Sequence, residues 1–154
     1  MLFRSGSPGW LVEPPLGMIA AVFVGVWVHL GFYAIILLAG LQGIDRSLFE
    51  AAAIDGATRW QINKLIILPL LKPTTLIIVI LSTIHGFQSF DFIYTLTGGG
   101  PLGATTLIVQ YIYERAFQIP IQYGLGSAAG VILFLIIFAF TAMNFVVGRK
   151  REAV

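Results

Sequence analysis

The chain has 154 residues, the length of a single domain, with 58% hydrophobic residues, 10% charged residues and a net charge of +2. A soluble domain carries about 25% charged residues, so this composition, with a mean hydropathy of +0.93, excludes an ordinary soluble fold and indicates a membrane protein. The absence of cysteine excludes disulfide and thiol chemistry, and the small net charge gives no argument for a nucleic-acid partner.

The opening residues, MLFRSGSPGWLVEPP, hold Arg4 but no apolar run before the prolines, so no cleavable signal peptide is expected. Three segments are then long and apolar enough to span a bilayer. They are 18–40 and 127–147, without Asp, Glu, Lys or Arg, and 74–96, with Asp91 alone. At 1.5 Å per residue, such a segment reaches roughly 34 Å, against a hydrocarbon core of about 30 Å. The expected fold is all-α and polytopic. Arg46, Arg59, Lys64 and Lys72 fall between the first two spans and Arg149, Lys150 and Arg151 follow the third, leaving Arg4 and Arg115 on the other side. Basic residues favour the cytoplasmic face, so the N-terminus is expected outside, the C-terminus inside, loop 41–73 in the cytoplasm and loop 97–126 outside.

The first span carries His29 near its middle, with Trp27 and Phe32 around it. A histidine there either bonds a neighbouring helix or lines a substrate path.

Between the first two spans the sequence turns polar in an ordered way, over Glu50 to Pro69. Ser47 with Glu50 and Thr58 with Gln61 each have capping-box spacing, predicting two helix starts eleven residues apart. Gly56 between them can take the left-handed conformation that closes the first helix. Pro69 and Pro73 interrupt the second helix. Ala51, Ala52 and Ala53 leave a surface with almost no side chain, suited to close approach by another protein, while an ordinary helix on the membrane surface is the alternative.

In the second span Ser82, His85 and Ser89 fall on one helical face, with Gly86 beside them. Hydroxyl and imidazole groups can bond sugar hydroxyls, and they can equally bond neighbouring helices. Gln88 and Asp91 lie toward the outer end. A carboxylate at the bilayer centre costs about 2.5–3.5 kcal/mol, so Asp91 is expected near the surface, in an ion pair or a functional role. Beyond it, TGGGPLG is a loop and not a nucleotide cradle, since no Gly-Lys-Ser/Thr follows. Residues 105–118 predict an amphipathic helix at the membrane surface, with Gln110, Glu114 and Gln118 on one face and Leu107, Ile108, Tyr111 and Ile112 on the other.

The third span opens on Gly126, Ser127, Ala128, Ala129 and Gly130, small residues that permit tight helix packing. Asn144 lies near its far end, before the basic GRKREAV. No catalytic constellation and no metal-ligand spacing is present: the chain has no HExxH, no Ser-His-Asp set in context and no Walker lysine.

Glu50-Ala51-Ala52, Gly56, Ile66 and Leu68-Pro69 resemble the EAA loop of ABC-transporter permeases, EAA, three residues, G, nine residues, I-x-LP, at all seven specified positions. LAGLQGIDRSLFEAAAIDGATRWQ, TLTGGGP and YIYERAF are similar to the carbohydrate-uptake permeases of the maltose and glycerol-3-phosphate type. The resemblance covers the chain from about Ala20 onward. It implies that Glu50, Ala51, Ala52, Asp55, Gly56, Ile66, Leu68 and Pro69 form a coupling element on an ATPase dimer, which would bind ATP and magnesium; this chain would hold no cofactor. It implies a second permease subunit, an extracellular or periplasmic solute-binding protein, a sugar-like substrate, surrounding lipid and a multi-pass place in the cell inner membrane. By position only, it implies that His29, Phe32, Ser82, His85, Gly86 and Ser89 lie along the substrate path. Such permeases usually have about six spans, so the three here resemble the C-terminal half of a longer subunit. A structural or assembly subunit, and a channel or ion-coupled transporter, are the competing functions.

Overall fold

A computed structural model of the chain describes Leu11 and residues 13–152; the first ten residues, with Arg4, lie outside the described residues. Among the described residues the regular elements are helical. They are α1 (Pro14–Gln42), α2 (Arg46–Ile54), α3 (Arg59–Ile62), a π-helical turn (Asn63–Ile67), α4 (Leu68–Leu70), α5 (Lys72–Gln88), α6 (Asp91–Thr97), α7 (Ile108–Phe117) and α8 (Tyr123–Glu152).

The first and third expected spans lie inside α1 and α8, and both helices are long and apolar enough to cross a membrane, over Leu16–Gln42 and Tyr123–Gly148. Large apolar side chains stand out from both, with Trp27 74% exposed and Phe134 64%. In water such surfaces would be costly, whereas lipid solvates them.

The second expected span, 74–96, is not one helix. Helix α5 ends at Gln88 and α6 starts at Asp91, the break lying at Ser89 and Phe90. The Ser89 hydroxyl donates to the carbonyl of His85 at 2.7 Å, and Phe90 leaves helical geometry at φ −137° and ψ −55°. Hydroxyls that bond back to the preceding turn compete with the helical ladder. The 17 residues of α5 reach only about 26 Å. A third crossing is possible only as a bent pair, Arg59–Leu70 with Lys72–Gln88, turned through 60°.

The chain divides into two compact units. One comprises Met1–His29 and Ile84–Phe138, the other Leu30–Thr83 and Ala139–Val154.

In the first unit the glycine-rich loop is built over buried polar groups. Thr105 and Gln110 are 0% and 1% exposed. The Thr105 hydroxyl donates to Gly100 O at 2.8 Å and lies 2.7 Å from that of Thr97. Gly99, at φ +88°, leaves the space in which a Cβ would meet the side chains of Gln110 and Thr106. The helix expected over 105–118 therefore starts at Ile108, and its polar side is not uniformly exposed. Gln110 is turned inward beneath the loop and donates to Glu114 at 2.8 Å. Close approach of the Gly99 backbone covers the Gln110 side chain, which overrides the amphipathic pattern. One turn along α7 from Gln110, Tyr113 carries an aromatic cluster onto α6. Tyr113 lies 5.2 Å from Phe90 and 5.5 Å from Tyr94, ring separations within the attractive range. Gly126, at the start of α8, packs on Ala116, where a Cβ would be 3.4 Å from the alanine methyl.

In the second unit the helices meet at glycines. A Cβ on Gly40 would fall 2.5 Å from Thr74 Oγ1, and one on Gly148 would fall 2.5 Å from Leu76. The Asn144 amide donates to Thr83 Oγ1 at 3.4 Å, which gives this polar residue of α8 an interhelical role.

Candidate coupling and substrate-path residues

The EAA stretch folds as a helix, a turn and a helix. The cap at its start differs from the expected one. Ser47 does not form a box with Glu50; Asp45 is the N-cap, accepting the Ser47 backbone N–H at 2.9 Å. Asp is among the preferred caps and precedes Ser47 by two positions, so its shorter reach to the first free N–H groups wins. That bond, and then the Ser47 side chain, hold the Asp45 carboxyl below its usual range. Glu50 is left on the exposed face, 3.7 Å from Arg46.

The expected turn forms at Gly56. With φ at +72°, Ala57 N–H donates to Ala52 O at 2.9 Å and Gly56 N–H to Ala53 O at 3.2 Å. This crossed pair is a Schellman motif with glycine in the left-handed position. Asp55 is the C-cap of α2. The second capping box forms as expected: Thr58 N–H reaches Gln61 Oε1 at 2.8 Å and Gln61 N–H reaches Thr58 Oγ1 at 3.4 Å.

Ala52 is buried at 8% exposure, while Ile54 at 87% and Trp60 at 72% stand clear. The pair thus presents Glu50, Ala51 and large apolar groups outward, an arrangement suited to a protein partner. Ile66 lies in the π-helical turn and Leu68 and Pro69 in α4. Leu68 N–H bonds Asn63 O, five residues back. Pro69 has no N–H, and its ring would crowd the carbonyl of Leu65 in a regular helix, so the wider register immediately before it relieves that contact. The EAA helices therefore join α5 through a π turn and a 60° bend.

The six expected substrate-path residues divide between the units. Phe32 and Ser82 belong to one, and His29, His85, Gly86 and Ser89 to the other. The expected single stripe is not kept, because Ser89 lies past the end of α5 and its hydroxyl is spent on His85 O. Ser82 likewise donates to Val79 O at 3.0 Å. Phe32 is 49% exposed and packs edge-on against Tyr33 at 5.6 Å.

His29 and His85, from α1 and α5, come together with ring centroids 5.0 Å apart and planes at 32°. His29 Nδ1 donates to Gly25 O at 2.9 Å. Phe92 closes one side at 6.5 Å. Beside His85, a Cβ on Gly86 would meet nothing within 4 Å. The two imidazoles and the Phe92 ring are thus gathered at one point between α1, α5 and α6. Asp91 stands exposed in the first turn of α6 with no ion-pair partner among the described residues. The negative charge at a helix start is itself favourable.

Residues 1–152 match the family described as binding-protein-dependent transport system inner membrane component. The chain is 44% identical over 143 residues to the trehalose/maltose transport system permease protein MalF of Thermococcus litoralis, with 93% of this chain and 48% of the relative covered. It is 38% identical over 154 residues to the sn-glycerol-3-phosphate transport system permease protein UgpA of Rhizobium meliloti, covering 98% and 52%. It also resembles a chain of the bacterial alginate ABC transporter crystallised with an alginate pentasaccharide-bound periplasmic protein, with a TM-score of 0.79, 27% identity, and 93% and 50% coverage. The chain spans about half the length of these relatives.

Proposed function

The chain belongs to the binding-protein-dependent transport system inner membrane components, and from that membership we propose that it forms the coupling and translocating part of a permease subunit in an ATP-driven importer of a sugar or sugar derivative. The observation that carries this is the EAA segment, which matches at all seven positions and is held as an exposed helix pair around the Gly56 turn. The sugar class is supported by the relatives, which include a trehalose/maltose and a glycerol-3-phosphate permease.

In this account the subunit crosses the membrane with α1, the path that runs through α5, and α8, and the EAA loop, with α2 and α3, faces the cytoplasm. The ATPase dimer receives α2 and α3 in a cleft, where the small alanines allow close seating and Glu50 meets a basic side chain in a charge-assisted contact. Glu50 is already paired with Arg46, but both side chains are exposed, at 69% and 92%. Exposed pairs are worth only about 0–1 kcal/mol, so exchanging partners costs little. Closure of the ATPase then moves the pair, and the π turn and bend carry that motion along the covalent chain into α5. The far end of α5 bears His85, so the same helix connects the driving element to the substrate path. A solute-binding protein delivers the sugar at the outer face, and a second permease subunit completes the path.

Reconstitution of the chain with its partner subunits in proteoliposomes tests this. Uptake of a labelled sugar should require ATP, the ATPase subunit and the binding protein, with hydrolysis stimulated by the loaded binding protein. Uptake without the ATPase would favour a channel or ion-coupled carrier. Normal uptake after loss of both histidines would leave the polar residues as helix packing alone.

A further inference from the structure

A surface suited to membrane contact lies on the turn that follows α7. Phe117 is 71% exposed, Ile119 92%, Ile121 48% and Tyr123 67%. The turn is fixed: Gln122 N–H donates to Arg115 O at 2.7 Å, and Arg115 Nη1 donates to Gln122 Oε1 at 3.1 Å. The Arg115 guanidinium also lies over the Tyr111 ring, 5.1 Å from its centroid.

Charge is what identifies the occupant. Arg115 is the one Lys or Arg between Lys72 and Arg149. Its neighbour Glu114 accepts the Gln110 amide, and Arg115 has no carboxylate partner among the described residues. One of its five donors is spent on Gln122, and the planar fork that remains matches a phosphate. The exposed Ile119 and Ile121 follow this cation within six residues, in the turn that Arg115 and Gln122 hold. They run directly into the apolar surface of α8, where Leu125 is 49% and Val131 59% exposed. A phosphate-binding cation at the boundary of an apolar surface that continues along a membrane-crossing helix has the layering of a bilayer leaflet, headgroup above acyl chain.

We propose that the 117–123 turn is a lipid-docking site, in which Ile119 and Ile121 enter the acyl boundary of the leaflet where α8 begins and Arg115 binds a phospholipid phosphate. The turn would set the depth of α7 and of the loop it supports. This holds whichever sugar is carried.

The chain has no cysteine, so single cysteines at 119 and 121 can carry a nitroxide in the assembled permease in phosphatidylglycerol/phosphatidylethanolamine nanodiscs. Power saturation should give greater relaxation by oxygen than by a nickel chelate at both sites, at a depth of about 5–10 Å below the phosphate plane. Arg115→Gln should shift both labels outward, and Arg115→Lys should largely hold them. Greater relaxation by the nickel chelate would place the turn in water and overturn the proposal. So would protection from both reagents, which would mean that another protein covers it. If the labels lie in lipid but do not respond to Arg115→Gln, the phosphate contact is overturned. All variants should retain the assembly, checked by co-purification of the ATPase subunit.

Discussion

His29 on α1 and His85 on α5 meet with ring centroids 5.0 Å apart and planes tilted by 32°, bringing together two imidazoles that lie 56 positions apart in sequence. If the pair contacts substrate, His29→Ala or His85→Ala should raise the KM for sugar uptake about tenfold, the equivalent of one lost hydrogen bond of about 1.5 kcal/mol. The double variant should cost little more than either single one, because the rings act as one element. Uptake kinetics normalised to inserted protein check this. A fall in the amount of inserted protein with unchanged KM would assign the pair to helix packing.

Gly56→Leu should weaken coupling more than folding. A side chain at φ +72° costs about 1–2 kcal/mol, and nothing lies within 4 Å of its Cβ, so the effect is on the turn and not on packing. Co-purification of the ATPase subunit should drop several-fold while membrane insertion stays normal. Gly56→Asn, which tolerates this region better, should lose less.

Gly99→Ala should destabilise the first unit, since the new methyl would collide with Gln110 and Thr106 in a backbone conformation at φ +88°. A fall of several degrees in the thermal unfolding midpoint in detergent is expected. Adding Gln110→Ala to Gly99→Ala should recover part of it, because the collision is relieved and the backbone strain is not.

The start of α2 should respond to acid through Asp45. Its carboxyl is held below the usual range by the Ser47 N–H, so the stabilisation is fully present above the unfolded pKa, near 3.8, and is lost as pH falls through the lower folded value. The protection factor of the Ser47 amide should fall over that acid range. Asp45→Asn should remove the pH response while keeping much of the cap.

Much of this was legible in sequence where the signal is local. The Gly56 turn, the Thr58 and Gln61 cap and the two longest helices follow from residue type and spacing. The cap at Asp45 was legible too, but the wider-spaced Ser47 and Glu50 pattern masked it. What composition could not give was set by contacts between distant segments. The span expected over 74–96 breaks at Ser89 and Phe90, where Phe90 leaves helical geometry. Gln110 is buried because Gly99 approaches from another part of the chain, which a helical-periodicity argument does not see. The His29 and His85 contact and the aromatic cluster of Phe90, Tyr94 and Tyr113 are tertiary in the same sense.

The central claim is that work enters this chain through the EAA helix pair. Glu50→Lys reverses the charge at the centre of that surface and leaves its backbone turn untouched. In proteoliposomes containing the assembled importer, ATP hydrolysis stimulated by the loaded binding protein and sugar uptake should both be lost, with the chain inserted normally. Uptake that continues at the unmodified rate, with hydrolysis still coupled to it, would contradict the account.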